Sequence, residues 1–203
     1  QIPLVPSTPQ LYILHMNFIV IPGSLRVGSL NKILARWAAQ RIGELRPGTT
    51  ATFIDLQPLQ IPVYDGDIEA VGIPQSINIL AQQIASADGL VIVTPEYNGS
   101  IAAPVKNLID WLSRIKPMPL AAKPVQIFAA SPGALGGVRG LWHTRVPFEV
   151  LGSHVMPGMV GVGQANTKLS GENTLNDAAA QKQLDQALEN FLNFVQSLKK
   201  NAN

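Results

Sequence analysis

The 203-residue chain has no cysteine. That absence removes disulfides, thiolate nucleophiles and thiolate metal ligands together, and it accords with a reducing compartment, so a cytoplasmic location is the expectation. Charge is also sparse, at 14% Asp, Glu, Lys and Arg, with a formal net charge of only +2. The basic residues are scattered through the chain and form no stripe of the kind a nucleic-acid surface requires. No apolar run approaches the ~20 residues of a membrane span. Neither a nucleic acid nor a membrane is therefore expected as a partner. Two nucleotide signatures are missing as well. There is no G-x-x-x-x-G-K-[ST], and no G-x-G-x-x-G follows the first strand-like run. A phosphatase with a cysteine nucleophile is excluded by composition.

A hydrophobic content of 46% over this length supplies one large core. Residues 1–15, "QIPLVPSTPQLYILH", hold three prolines and lack the basic start of a signal peptide. They read as a disordered extension, added in cloning or by gene-start assignment, ahead of a natural start at Met16. The other reading is an arm that packs on a neighbour. Residues 16–203 read as a single domain.

Runs at 17–22, 51–56, 89–94, 124–130 and 154–162 predict strands. The central ones are short, continuous and rich in Val and Ile, as strands buried on both faces are. Helical stripes lie between them: Leu30, Ile33, Leu34 and Trp37; Ile77, Leu80 and Ile84; Val105, Leu108, Ile109 and Leu112; Leu184, Leu188, Phe191 and Val195. A further helix is expected over 138–151, ended or kinked by Pro147. Residues 163–177 read as a surface loop. Strict alternation of strand and helix predicts α/β architecture, with a parallel sheet covered on both faces. Ligands bind such sheets beyond the carboxyl ends of the strands, which directs attention to three loops.

The first loop, "PGSLRVGSLNKILA" (22–35), places Ser24, Arg26, Ser29 and Asn31 where a helix begins. A helix N-terminus has unpaired N–H groups and partial positive charge, so it favours an anion. Two hydroxyls, a guanidinium and an amide suit a phosphate monoester. A plainer reading, a cap at Ser29 and a solvated Arg26, accounts for one of the four. With both nucleotide signatures missing, a mononucleotide held by its terminal phosphate remains. The second loop, after "GLVIV", is Pro95-Glu96-Tyr97-Asn98-Gly99-Ser100, richer in chemistry than a connection needs. The third is the turn "SPGALGGVRG" (131–140).

Together, "GSLRVGSLNKILA", "PEYNGSIAAPVKNLIDWLSR" and "SPGALGGVRG" resemble the NADPH-dependent FMN reductase family over about residues 16–162. The resemblance implies a flavodoxin-like three-layer fold with a five-stranded parallel sheet of order 2-1-3-4-5. It implies FMN as cofactor, with its phosphate on Ser24, Arg26, Ser29 and Asn31. Its ring would lie along Pro95, Glu96, Tyr97, Asn98 and Gly99, bordered by Ser131, Gly133, Gly136 and Gly137. NADPH or NADH would be the co-substrate. The acceptor would be a quinone, azo compound, flavin or metal oxyanion, reduced in a ping-pong cycle. Flavin N5 would be the reactive centre, so no catalytic side chain and no metal are expected.

Glycines lacking Cβ permit close approach of a flat ring, and Tyr97 offers it an amphipathic wall. Glu96 is open to a second role, as a helix cap or a pair across a subunit boundary. Lys106, Asn107, Asp110 and Trp111 match the family's K-N-x-x-D-W, read here as packing, pairing and subunit contact. A homodimer or homotetramer is implied, with the helix bearing Leu108, Trp111 and Leu112 as the expected surface. His143 and His154 lack partner ligands at metal-binding spacing. Arg139 and Arg145 are the candidates for reading a 2′-phosphate. The alternatives are a flavodoxin-type electron carrier and a nucleotide-sensing protein without turnover.

Overall fold

Strand β1 (Asn17–Pro22) is buried at every position after its first, as a strand covered on both faces must be. The structure, a computed structural model, describes residues 15–201; the expected N-terminal extension lies outside them apart from His15. After β1 come α1 (Leu30–Leu45), β2 (Thr50–Phe53), α2 (Gly66–Val71), α3 (Gln75–Ser86) and β3 (Gly89–Val93). A short hairpin, β4 (Glu96–Tyr97) with β5 (Ser100–Ile101), then precedes α4 (Ala103–Leu112). The chain continues through β6 (Pro124–Ala130), α5 (Val138–Val150), β7 (His154–Val155) and β8 (Val160–Val162). It closes with α6 (Ala165–Lys168), the pair β9 (Leu169–Ser170) and β10 (Thr174–Leu175), and the long α7 (Ala178–Asn201).

The main sheet is parallel, in the order β2-β1-β3-β6-β7, with β8 also paired to β6. This is the expected 2-1-3-4-5 order with one difference. The fifth strand, expected unbroken over 154–162, is two pieces flanking Met156-Pro157-Gly158-Met159. Proline has no N–H to give a ladder and glycine weakens a strand, so the edge parts there. Buried Gln126 of β6 fills the gap in pairing by donating from Nε2 to the Gly158 carbonyl at 2.8 Å.

Alternation along the strands divides the core in two. Phe18, Val20, Val91, Val93 and Phe128 pack with Leu34, Trp37, Leu188 and Phe191 of α1 and α7. Ile19, Ile21, Leu90, Ile92 and Ile127 pack with Leu80, Ile84, Leu108, Trp111 and Phe148 of α3, α4 and α5.

Several expectations are corrected. The second strand ends at Phe53, not residue 56. Of the two effects expected of Pro147, ending helix α5 is the one that does not occur, since the helix runs three residues beyond it. The 163–177 segment holds α6 and the β9–β10 pair. Leu108, Trp111 and Leu112 are buried within the chain itself, so they form no subunit surface. The indole N–H of Trp111 and the amide of Asn107 both donate to the Pro62 carbonyl at 2.8 Å, while Lys106 and Asp110 pair on the outer side of α4.

Candidate functional site

Three loops are knitted together where β1, β3 and β6 end. Gly23 N–H donates to Val93 O and Thr94 N–H to Phe128 O, both at 2.8 Å, and Ser131 N–H donates to Val162 O at 3.0 Å. Gly23 is required at this join. A Cβ there would press on Val105 Cγ2 and reach 3.0 Å from Thr94 Oγ1.

The first loop turns into α1 through Ser29, whose Oγ caps the helix by accepting the Asn31 N–H at 3.2 Å. Ser24 Oγ accepts the Arg26 N–H at 3.4 Å. Both serines are buried, and each hydroxyl, being used as an acceptor, keeps its proton for another partner. Among the described residues no acceptor pairs with the N–H groups of Gly28, Ser29 or Leu30, and Arg26 has no carboxylate partner. Unpaired donors at the head of a 16-residue helix fit an anion such as a phosphate group.

Asn31 also braces the fold. Its Nδ2 donates to Ala130 O and its Oδ1 accepts the Ala130 N–H, both at 2.9 Å, so it clamps α1 to the end of β6. Lys32, which the sequence reading passed over, is a buried cation one residue further on, 2.8 Å from Asp55. Nothing in the local pattern marks Lys32, because its partner lies beyond β2.

The polar knot after β3 is a two-residue hairpin. Asn98 and Gly99 both have positive φ, 51° and 75°, as the tight turn most common in hairpins requires. Tyr97 stands half-exposed on its first strand. Glu96 anchors the hairpin from beneath. Its carboxylate accepts the N–H groups of Arg139 (2.9 Å) and Gly140 (3.2 Å) at the start of α5, and Arg139 Nε donates to it at 2.8 Å. Partial desolvation works to raise the Glu96 pKa, but the Gly140 and Arg139 hydrogen bonds outweigh it and hold the carboxyl below its ordinary range. Glu96 is therefore a cap, of α5 rather than of the helix that follows it in sequence.

In the third loop, Ser131 Oγ accepts the Gly133 N–H at 3.2 Å. Gly136 has φ 63°, and a Cβ on it would stand 2.5 Å from the Gly161 carbonyl. Gly136 thus admits a neighbouring backbone segment, a requirement separate from the approach of a ring.

These loops enclose a cleft of about 310 Å³. Ser24, Arg26, Ser29 and Asn31 share its wall with Pro95, Glu96, Tyr97 and Ser131. Gly28, Pro132 and Asn166 join them unannounced, the last from α6 in the segment read as plain loop. Asn98, Gly99, Gly133, Gly136 and Gly137 stay off the wall and shape the turns that build it. Arg145 is occupied elsewhere, donating to Val155 O and Met156 O. His143 shares a 2.9 Å hydrogen bond with Ser100 Oγ. Among the described residues no group of three or more His, Cys, Asp or Glu could hold a metal ion, and no helix is long and apolar enough to cross a membrane.

An anion seat beside a walled cleft, at the carboxyl edge of a 2-1-3-4-5 parallel sheet, defines a flavodoxin-like mononucleotide-binding protein. The family described as NADPH-dependent FMN reductase matches residues 16–167, and the chain belongs to that family. It is an oxidoreductase that uses FMN, with NAD(P)H as co-substrate. A quinone reductase of Escherichia coli K12 is 41% identical over 142 residues, covering 70% of this chain and 73% of the relative. An NAD(P)H-dependent FMN reductase of Pseudomonas aeruginosa is 34% identical over 180 residues, covering 88% and 95%. Among solved structures, a flavoenzyme NAD(P)H:(acceptor) oxidoreductase from Paracoccus denitrificans gives a TM-score of 0.77 at 26% identity, covering 90% of this chain and 98% of that one.

Proposed function

We propose that the chain reduces a small oxidised acceptor, a quinone first among the candidates, with NAD(P)H as donor and in a ping-pong cycle. An azo compound, a free flavin or a metal oxyanion would use the same open cleft. The quinone reading is supported by the bacterial quinone reductase at 41% identity. The carrying observation is the set of unpaired N–H groups at Gly28, Ser29 and Leu30, between two buried serine hydroxyls and beside the Tyr97 wall.

Ser24, Ser29, Arg26 and those N–H groups would hold the FMN phosphate. Pro95, Glu96, Tyr97 and Ser131 would line its ring, with Asn31 and the glycine turns fixing the loops. Bound there, FMN would supply the two-electron chemistry that links NAD(P)H to the acceptor. The chain's contribution is positioning and exclusion of alternatives; no side chain has to act as nucleophile or acid. The reading includes a cytoplasmic location, which the lack of cysteine supports, and assembly of identical copies.

The test begins with the visible spectrum of protein mixed with FMN and freed of excess. Retained flavin, bleached by anaerobic NADPH and restored by a quinone, is the expected result. Initial rates at several NADPH concentrations should give parallel double-reciprocal lines. Failure to take up FMN would overturn the site, and intersecting lines would overturn the ping-pong order alone. Bleaching without restoration by any acceptor would favour a sensing role.

A further inference from the structure

Lys32 is the third residue of α1, behind the Ser29 cap. The partial positive charge of a helix start favours a carboxylate or amide at that place, yet the first turn of α1 holds no acid at all. The cation is nevertheless buried, at 6% exposure. A lysine is buried only at high cost unless its charge is paired. Asp55, just past the end of β2, supplies the partner at 2.8 Å. Neither residue lines the cleft.

Lys32 Nζ also donates to the Leu25 carbonyl, at a long 3.5 Å. That carbonyl shares one rigid peptide plane with the Arg26 N–H, and Ser24 Oγ holds the N–H end at 3.4 Å. The plane between Leu25 and Arg26 is thus pinned at both ends. Among the described residues, Lys32 supplies the one hydrogen bond that reaches the backbone of residues 25–28 from outside the loop. Asp55 roots the brace. Its other carboxylate oxygen accepts the Gln57 N–H at 3.0 Å, and Leu56 between them is buried in the core.

We propose that Lys32 and Asp55 are positioning residues for the phosphate of FMN, acting through the Leu25–Arg26 peptide. The inference rests on the cofactor reading above and deepens it. Holding that peptide keeps Ser24 Oγ as an acceptor within the loop, so its proton is left for the phosphate. It also fixes the point from which the Arg26 side chain departs. Without the brace the plane can turn, and both donors leave the anion seat. Because Asp55 balances the Lys32 charge, the pair acts by placement and not by its field.

The test compares FMN with riboflavin, which lacks only the phosphate, by fluorescence titration of the full chain freed of flavin. In Lys32→Met and Asp55→Ala the FMN dissociation constant should rise roughly 10-fold, the worth of one displaced hydrogen bond to a charged group. Riboflavin affinity should stay near that of wild type. The double variant should bind FMN no more weakly than either single one, because the two residues act as a unit. Asp55 is partly exposed and the Gln57 N–H it would free lies at the surface, so Asp55→Ala carries the test where Lys32→Met fails to fold. Tighter FMN binding by Asp55→Ala would make Lys32 a freed attracting charge and overturn the brace. Equal losses for both flavins, or no loss for either, overturn it as well. A wild type that takes up neither flavin overturns the cofactor reading itself, and the brace with it.

Discussion

Asn31 illustrates how a residue legible as polar can carry a task that its local sequence does not show. Its position at a helix start reads as ligand contact, yet its amide spans two backbone groups of Ala130, a residue 99 positions away. Replacing it with Ala leaves a buried N–H and carbonyl unpaired, which should cost about 1–3 kcal/mol each at most and lower the urea midpoint accordingly. Ser29 combines two tasks. Ser29→Ala should lose about 1 kcal/mol of stability from the cap and weaken FMN binding as well, measurable by fluorescence titration. A stability loss with unchanged FMN affinity would leave Ser29 as a cap alone.

Glu96 gives a pH signature. Because its folded pKa is lowered, its contribution is complete at pH values above the ordinary carboxylate range. It is lost as the pH falls through the lowered value, when protonation leaves the Arg139 and Gly140 N–H groups without a charged acceptor. Glu96→Gln should therefore be less stable than wild type near neutral pH, with the gap closing in acid. Chemical denaturation of both proteins between pH 3 and 7 checks this (the window follows from ordinary carboxylate values, about 4).

At the scale of elements, long buried strands and amphipathic helices were readable because period and length carry them. What escaped was short or broken: α2, α6, the β4–β5 hairpin and the split fifth strand. The run holding Pro157-Gly158 reads as one strand, and only Gln126 on the neighbouring strand shows how its break is bridged. The glycine turn is a similar case. Gly161→Ala would direct a Cβ to 2.5 Å from the Gly136 carbonyl, and the two segments would have to separate. An expected loss of about 1–3 kcal/mol, the range for overpacking, should appear in thermal unfolding. Weakened FMN retention should accompany it, because the same turn continues into Ser131.

For the whole molecule, a cofactor that binds only the folded chain must stabilise it. At 100 times its dissociation constant FMN should add about 2.7 kcal/mol, which for a chain of this length raises Tm by roughly 5–11 °C. Riboflavin, without the phosphate, should produce a much smaller shift. Equal shifts from the two would show that the first loop does not read the phosphate.

Composition and order by themselves determined the parallel α/β class, the strand order through its resemblance, and the three loops that carry chemistry. Hydrophobic period and turn residues are local properties, so they survive being read in one dimension. Tertiary structure decided which of those residues line the cleft and which also brace the loops around it. Asn31, Glu96 and Gly136 each meet a partner remote in sequence. Hydrogen bonds and steric contacts of that kind exist only once the sheet has aligned its strand ends.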